Sequence, residues 1–234
     1  MSRIFEEIME GFDALERSRM ILGVMGNAGT GKDTFANHLV LHGWVSISLA
    51  DPMKRIAKEI YDFTDEQLWG PSSERNKPDM RYLRGDATHL TPREVLQRLG
   101  TEVGRYCYQD TWVDLTLSDA HKILRQTHVY SKSKGAERIY PKYMYSGPPP
   151  IPFGVVIPDV RFENEIQAIH KSGGKVVRLK RQTAVNALEI GVKNHASEAE
   201  QLAIPDSAVD YVMDVEDGLE NFYKQIDQFL KELR

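Results

Sequence analysis

Short apolar runs alternate with longer amphipathic stretches along most of this chain. The runs with the length and composition of buried strands are 20–25, 44–49, 154–157, 175–179 and 211–215. Helical spacing of apolar residues is found over 33–41, 51–60, 92–108, 110–125, 162–172 and 219–233. Strands that alternate with helices favour a parallel sheet covered on both faces, with ligands at the carboxyl ends of the strands. We therefore predict an α/β fold with a central parallel sheet of about five strands.

The most informative motif follows the first predicted strand directly. Gly26, Gly31 and Lys32 match the spacing GxxxxGK, and a predicted helix begins immediately afterwards. In such a phosphate loop, glycines let backbone N–H groups turn inward, and the helix N-terminus adds positive potential. A turn without a ligand would be a costly use of these glycines. The motif predicts a P-loop NTPase three-layer fold that binds ATP. The residues expected at its phosphates are Asn27, Gly29, Thr30, Gly31, Lys32, Asp33 and Thr34.

One position departs from the general P-loop motif. Asp33 stands where most P-loops have the Ser or Thr hydroxyl that holds Mg²⁺. This aspartate binds the metal directly, or acts through a metal-bound water, or caps the helix and leaves the metal to Thr34. We place the predicted metal site at Asp33 and Thr34.

A second acid follows the strand predicted over 154–157. An aspartate at the carboxyl end of such a strand commonly organises Mg²⁺ in P-loop proteins, and Asp159 occupies that position. The structural alternative is that Asp159 caps the helix predicted over 162–172. Arg161 and Glu163 add polar groups near the same strand end.

The helix predicted over 51–60 begins with Asp51 as its N-cap and Pro52 at its first position. Its expected buried stripe consists of Met53, Ile56, Ala57 and Ile60. Lys54 lies in the first turn, where a cation opposes the helix dipole. This position favours a role for Lys54 in binding an anion, and a solvated lysine is the alternative.

A capping box at Thr91 and Glu94 predicts the start of the next helix. Its expected core face consists of Val95, Leu96, Leu99 and Val103. Gly100 and Gly104 each cost about 1 kcal/mol in a helix interior, so they predict a break or a close approach by a ligand or the backbone. Arg98 lies on the polar face beside these glycines, which suggests a binding face; a solvent-exposed polar face with an internal ion pair is the alternative.

Two segments lack a regular pattern. Residues 65–90 are rich in turn-forming residues and predict a loop with short helical pieces. Residues 128–152 carry tyrosines, basic residues and a proline run, and they predict a flexible, lid-like insertion over the phosphates.

Composition narrows the class of protein. A formal net charge of −4 argues against a broad nucleic-acid surface, and no apolar run approaches the roughly 20 residues of a membrane span. The single cysteine, Cys107, excludes an internal disulfide, fits a reducing cytoplasm, and is expected to be buried. Residues 1–19 predict an N-terminal amphipathic helix rather than a signal peptide. We expect one domain over 20–234, located in the cytoplasm.

With these motifs identified, the chain resembles the bacteriophage deoxynucleoside monophosphate kinases. The matching stretches, in the order typical of that family, are GKDT (31–34), LADPMK (49–54), LTPREVLQRLGTEVGR (90–105), IPDVRFENE (157–165), GGKVVRL (173–179) and HASE (195–198). An aspartate in GKDT is usual in that family. The resemblance implies transfer of the γ-phosphoryl group of ATP to a deoxynucleoside monophosphate, with Mg²⁺, often by a homodimer. It also implies that Asp159, Phe162 and Glu163 face the acceptor.

The acceptor of such a kinase is already an anionic phosphate, so catalysis needs positioning and charge neutralisation rather than a general base. We assign catalysis to Lys32, Asp159 and Arg161. The acceptor is assigned to Met53, Lys54, Arg98, Asp159, Phe162 and Glu163, with Arg161 as a further candidate for its phosphate. From the insertion, one of Arg125, Lys132, Lys134 or Arg138 is expected at the transferring group, and Arg138 is our choice for ATP.

Two other functions share parts of this pattern. A kinase of another small phosphorylated acceptor, such as phosphomevalonate or dephospho-coenzyme A, has the same GxxxxGK core. A non-enzymatic, nucleotide-gated protein associated with DNA would use the basic, tyrosine-rich insertion.

Overall fold

The computed structural model describes residues 19–27, 29–133, 136–144, 151–181, 201 and 203–233, with the backbone alone at 132–133 and 136–138. The predicted N-terminal helix therefore lies outside the described residues, except for Arg19, whose guanidinium donates to the carbonyl of Leu124 over 3.2 Å. The side chains of Lys132, Lys134 and Arg138 also lie outside them.

A five-stranded parallel sheet forms the centre of the molecule, as the sequence predicts. Its strands are β1 (Met20–Met25), β2 (Val45–Ser46), β5 (Gly154–Val160), β6 (Lys175–Lys180) and β7 (Tyr211–Asp214), in the spatial order β2-β5-β1-β6-β7. The central strand β1 has β5 on one side and β6 on the other. All five strands point the same way, so their carboxyl ends meet at one edge of the sheet.

Helices cover both faces of this sheet. On one face lie α6 (Thr111–Leu124) and α7 (Glu163–Lys171), and on the other lie α1 (Lys32–Leu41) and α8 (Leu219–Glu232). Alternate residues of β1 face opposite layers, because Ile21 packs with α6 and α7 while Leu22 packs with α1 and α8. The chain has the three-layer α/β fold of P-loop NTPases.

Residues 51–99 pack into a smaller cluster beside the sheet. It contains α2 (Asp51–Tyr61), α3 (Asp65–Trp69), α4 (Ser72–Asn76) and α5 (Pro92–Arg98). Its fully buried centre is formed by Ala57, Phe63, Leu68 and Val95. Buried Asp79 accepts hydrogen bonds from Arg81 and Gln67, and Arg81 holds the pKa of Asp79 well below its usual range. These contacts give the region predicted as a loop a core of its own.

Several predicted core positions are wrong. Ile56 and Ile60 of α2 are 37% and 63% exposed, and Val103 is 54% exposed. Cys107 is also exposed rather than buried. The α2 helix buries a narrower face than its sequence pattern indicates: Ala57 lies in the buried centre of the small cluster, whereas Ile56 and Ile60 remain accessible to solvent.

A π-helical segment over Leu99–Arg105 follows α5 directly. A Cβ atom at Gly104 would lie 2.3 Å from the Trp112 ring, and one at Gly100 would lie 3.0 Å from the Met53 sulfur. The Trp112 Nε1–H group also donates to the Gly100 carbonyl over 2.9 Å. The predicted break at these glycines is confirmed by the π-helical segment, whereas the groups that approach them closely are side chains rather than a ligand or the backbone.

The segment expected to be a flexible lid forms a β-hairpin of β3 (His128–Ser133) and β4 (Ala136–Pro141). Tyr130 and Ile139 pack against the core cluster that includes α6 and α7. The described base of the hairpin therefore lies beside α2 and α6, and its coverage of the phosphates stays a prediction. Among the described helices, none has the length and apolar content needed to cross a bilayer.

Candidate active site

The phosphate loop leaves the carboxyl end of β1 and turns directly into α1. Gly29 and Gly31 have φ angles of 80° and 95°, a region in which a side chain would be strained. The Thr30 hydroxyl donates to the Asn27 carbonyl over 2.9 Å and is buried within the turn. The backbone therefore curves as a phosphate cradle requires.

The Lys32 side chain lies across this loop. Its ammonium donates to the carbonyl of Gly26 over 2.6 Å and to that of Asn27 over 2.8 Å. Lys32 is therefore held within reach of any phosphate bound by the N–H groups of the loop.

Asp33 and Thr34 follow in the first turn of α1, where the carboxylate of Asp33 is exposed and Thr34 is half-buried. Both offer oxygen atoms, the ligand type that Mg²⁺ prefers, and the site is open enough for the water molecules that Mg²⁺ retains. These residues fit a magnesium ion. Direct binding and binding through water both remain compatible with this arrangement.

A cavity of about 510 Å³ adjoins the loop on the β6 side. Its lining includes Gly26, Asn27 and Thr30 from the loop, and Lys180 and Arg181 from the end of β6. This volume falls within the range of small-molecule sites. Buried Gln201 borders it and donates to the Gly26 carbonyl over 3.2 Å, which ties the loop to the segment that follows β6.

The carboxyl end of β5 lies next to the phosphate loop, because Met25 pairs with Val160 in the sheet. The Asp159 carboxylate there accepts hydrogen bonds from the Ser48 hydroxyl (2.5 Å), from Leu49 N–H (3.0 Å) and from Ala50 N–H (3.3 Å). Asp159 thus holds the turn that starts α2. The alternative role as cap of the helix after β5 is wrong, since Glu165 accepts from the N–H groups of Arg161 and Phe162 there.

Glu165 is buried, and its surroundings shift the pKa of its carboxyl in opposite directions. Its two backbone hydrogen bonds and Arg105, 3.9 Å away, favour the charged carboxylate. Burial, assisted by the Asp159 charge, prevails and raises the pKa of Glu165 to about 7. The Arg105 guanidinium also stacks on the Phe162 ring at 3.6 Å, so Arg105 fixes the start of α7 through two contacts.

The start of α2 carries a buried ion pair. Asp51 is the first helical residue rather than the predicted N-cap, and Ala50 precedes the helix. The Lys54 ammonium lies 3.1 Å from the Asp51 carboxylate, and the Trp69 indole N–H donates to the same oxygen. Only 16% of the Lys54 side chain is exposed, so the alternative of a solvated lysine is wrong. Met53 beside it packs against Gly100.

Two arginines that the sequence interpretation missed approach the phosphate loop from the small cluster. Burial and neighbouring Arg93 lower the pKa of Arg75, while Asp33 of the loop raises it. The Arg75 guanidinium donates to the carbonyls of Leu68 and Gly70. Arg93 is held by neutral oxygens of Ser72 and Asn76. Neither guanidinium forms an ion pair with a carboxylate of the described chain.

These arginines carried no signal that the sequence could reveal. Arg75 lies in a turn-rich segment without periodicity, and Arg93 occupies the first turn of α5, where it resembles a solvated residue. Arg75 and Arg93 become neighbours only because α4 packs against α5 in the folded chain.

The structure does not bring the other assigned residues to the loop in the same way. Arg98 pairs with Glu94 at 3.3 Å and lines a separate hollow near Tyr61 and Leu90. Arg161 and Glu163 are exposed beside the end of β5. Their assigned roles, and that of Arg138, stay predictions.

Comparison with known proteins decides the family. A protein of Acanthamoeba polyphaga mimivirus is 31% identical over 208 residues, which are 88% of this chain and 94% of the viral one. Its name is a provisional one, deoxynucleotide monophosphate kinase. The chain belongs to the deoxynucleotide monophosphate kinase family. Members of this family are kinases, and the phosphate loop described above is the part of the chain that such an enzyme requires.

Other comparisons add little about chemistry. No family model matches the chain. TT1252 from Thermus thermophilus is 15% identical, with 92% of this chain and 98% of that chain covered and a TM-score of 0.46. Dephospho-CoA kinase from Campylobacter jejuni is also 15% identical, with the same coverage and a TM-score of 0.41. Similarity at this level carries no argument about the acceptor of this kinase.

Proposed function

We propose that this deoxynucleotide monophosphate kinase family member transfers the γ-phosphoryl group of ATP to the phosphate of a deoxynucleoside monophosphate. The products are a deoxynucleoside diphosphate and ADP. The provisional name of the mimivirus relative supports this acceptor class, and the arrangement of charge around the phosphate loop supports the transfer itself.

The observation that carries the proposal is the presence of further cations near the loop, in addition to Lys32. Lys32 lies across the loop itself. Arg75, with Arg93 beside it, comes from the small cluster and lies near enough to Asp33 to be affected by its charge. A phosphoryl group passing between two phosphates needs positive charge on both partners. The two arginines would hold the acceptor phosphate, and Lys32 would hold the donor.

No general base is needed in this reaction, because a phosphate oxygen is already a nucleophile. The work of the protein is therefore to position two anions that repel each other. Mg²⁺ held near Asp33 and Thr34 would supply charge neutralisation at the ATP phosphates. Lys54 would then contribute a positive charge at the start of α2, where its ion pair with Asp51 holds it in place.

A panel of acceptors tests the proposal. ADP release is measured by a coupled assay with ATP and each common deoxynucleoside or ribonucleoside monophosphate, and with dephospho-coenzyme A and phosphomevalonate. We expect one or more deoxynucleoside monophosphates to raise ADP release by at least about 100-fold over ATP alone. Stimulation by dephospho-coenzyme A or phosphomevalonate instead would contradict the acceptor class and leave the kinase assignment standing.

A further inference from the structure

A cluster of metal-binding side chains lies away from the nucleotide site, where α1 packs against α8. His38 lies in α1 and His42 is the residue directly after that helix, and their Nε2 atoms lie 3.3 Å apart. The Asp227 Oδ1 atom of α8 lies 2.7 Å from the first nitrogen and 3.2 Å from the second. Three ligand atoms from two helices thus converge on one point.

Hydrogen bonding alone explains this convergence poorly. The Asp227 Oδ1 atom lies within hydrogen-bonding distance of the Nε2 atoms of both rings. If both rings donate to that oxygen, the contact between the two ring nitrogens has no proton to share. The His38 ring is held in place by stacking on Tyr223 at 4.3 Å, and its other nitrogen is buried without a partner in the described chain. The polar contacts of the His38 ring are therefore made through Nε2, to Asp227 and His42.

The spacing fits a small divalent transition metal. A tetrahedral Zn²⁺ ion bonds to imidazole nitrogen and carboxylate oxygen at about 2.0–2.2 Å, which places two ligand atoms about 3.3 Å apart. Two histidines at i and i+4 on one helical face are an established way to bind zinc. Imidazole ligands favour zinc, copper or nickel over Mg²⁺ and Ca²⁺, so the ion would differ from the one at the nucleotide site.

We propose that His38, His42 and Asp227 form a Zn²⁺ site that fastens α8 to α1. Three protein ligands leave one coordination position for water, and His42 and Asp227 are both nearly half exposed, which gives the ion a way in. Phe222 of α8 already lies against Gly31, where a Cβ atom would be 3.0 Å from its ring. Zinc would add a further link between the same two helices near the other end of α1.

Cobalt titration of the full chain, without a polyhistidine tag and without nucleotide, tests the site. Co²⁺ bound to the cluster is expected to give the visible absorption of a tetrahedral ion, and Zn²⁺ is expected to displace it. His42→Ala should raise the dissociation constant at least about tenfold. Asp227→Asn keeps a similar shape and should weaken binding comparably, so the test does not depend on one variant. His170→Ala removes an exposed histidine that pairs with Asp210 at 2.8 Å and should leave the titration unchanged.

Thermal unfolding gives a second readout. At a Zn²⁺ concentration about 100 times the dissociation constant, the unfolding midpoint should rise by about 5 °C, and a chelator should reverse the rise. The rise should vanish in His42→Ala and persist in His170→Ala. Equal cobalt binding by wild type and His42→Ala would overturn the proposal. A wild-type midpoint that does not respond to Zn²⁺ would also overturn it.

Discussion

The buried carboxylate of Glu165 makes the free energy of unfolding depend on pH. Burial raises its pKa from 4.5 to about 7 in the folded chain. Below pH 4.5 both the folded and the unfolded chain hold this proton. Between pH 4.5 and 7 the unfolded chain releases it and the folded chain keeps it, so the free energy of unfolding falls as pH rises through this window.

Glu165→Gln should remove this dependence, because glutamine keeps an oxygen for the N–H groups of Arg161 and Phe162 without carrying a charge. Relative to wild type, the variant should gain about 1–3 kcal/mol of unfolding free energy between pH 5 and pH 8. Urea unfolding at the two pH values measures the difference. Glu163→Gln, at an exposed carboxylate on the same helix, is the control and should show no such change. An equal pH response in Glu165→Gln and wild type would refute the raised pKa.

At the residue scale, the sequence was informative where chemistry depends on local spacing. The glycines and Lys32 of the phosphate loop could be placed because their roles follow from neighbours within a few positions. The roles of Asp159 and Lys54 depend on contacts across the fold. Asp159 lies in β5 and accepts a hydrogen bond from Ser48, which is more than a hundred residues earlier in the chain. The Lys54 ammonium lies over the Trp69 ring. No local pattern contains that information.

The π-helical segment over Leu99–Arg105 requires a glycine at position 104, and this requirement can be tested. Gly104→Ala would put a methyl group 2.3 Å from the Trp112 ring, and the ring is also held by its bond to the Gly100 carbonyl. We expect a loss of about 1–3 kcal/mol in unfolding free energy, measured in urea. Gly85→Ala is the matched control, since nothing lies within 4 Å of its Cβ position, and it should stay within about 0.5 kcal/mol of wild type. A neutral Gly104→Ala would mean that Trp112 does not pack there.

The small cluster over 51–99 is proposed to contribute the acceptor-side cations. Arg75→Ala should reduce kcat/KM for the acceptor by at least about 100-fold while changing KM for ATP less than about threefold. The comparison of acceptor and ATP kinetics separates a lost anion site from a general disturbance of α4. Lys77→Ala changes an exposed cation two residues away and should leave both constants near wild type. A larger effect of Arg75→Ala on ATP than on the acceptor would place this residue on the donor side.

At the element scale, the sheet and the longer helices, α2 and α5 among them, could be predicted, but the bounds of α3 and α4 could not. Buried strands and long amphipathic helices have a periodicity that identifies them. The helices α3 and α4 have five residues each, too few for a period to show. The hairpin of β3 and β4 was missed because its strands are largely polar and basic; among their described side chains Val129 is buried, and Tyr130 and Ile139 pack on the core.

The whole molecule consists of a sheet that carries the phosphate loop and a smaller cluster that approaches it from one side. Asp159 links the two parts, because it extends from β5 and holds the turn that begins α2. A kinase must bring two phosphates together and keep water from the transfer. This architecture brings the proposed donor and acceptor cations to the same edge of the sheet.

Transfer of labelled phosphate tests the central claim most directly. The chain is incubated with ATP labelled in its γ-phosphoryl group, Mg²⁺ and a deoxynucleoside monophosphate, and the products are separated by thin-layer chromatography. The label should appear in the deoxynucleoside diphosphate. Lys32→Ala should reduce its formation by at least about 100-fold, whereas Lys171→Ala, at an exposed lysine on α7, should not. Label found only in inorganic phosphate, at a rate that no deoxynucleoside monophosphate changes, would contradict the account.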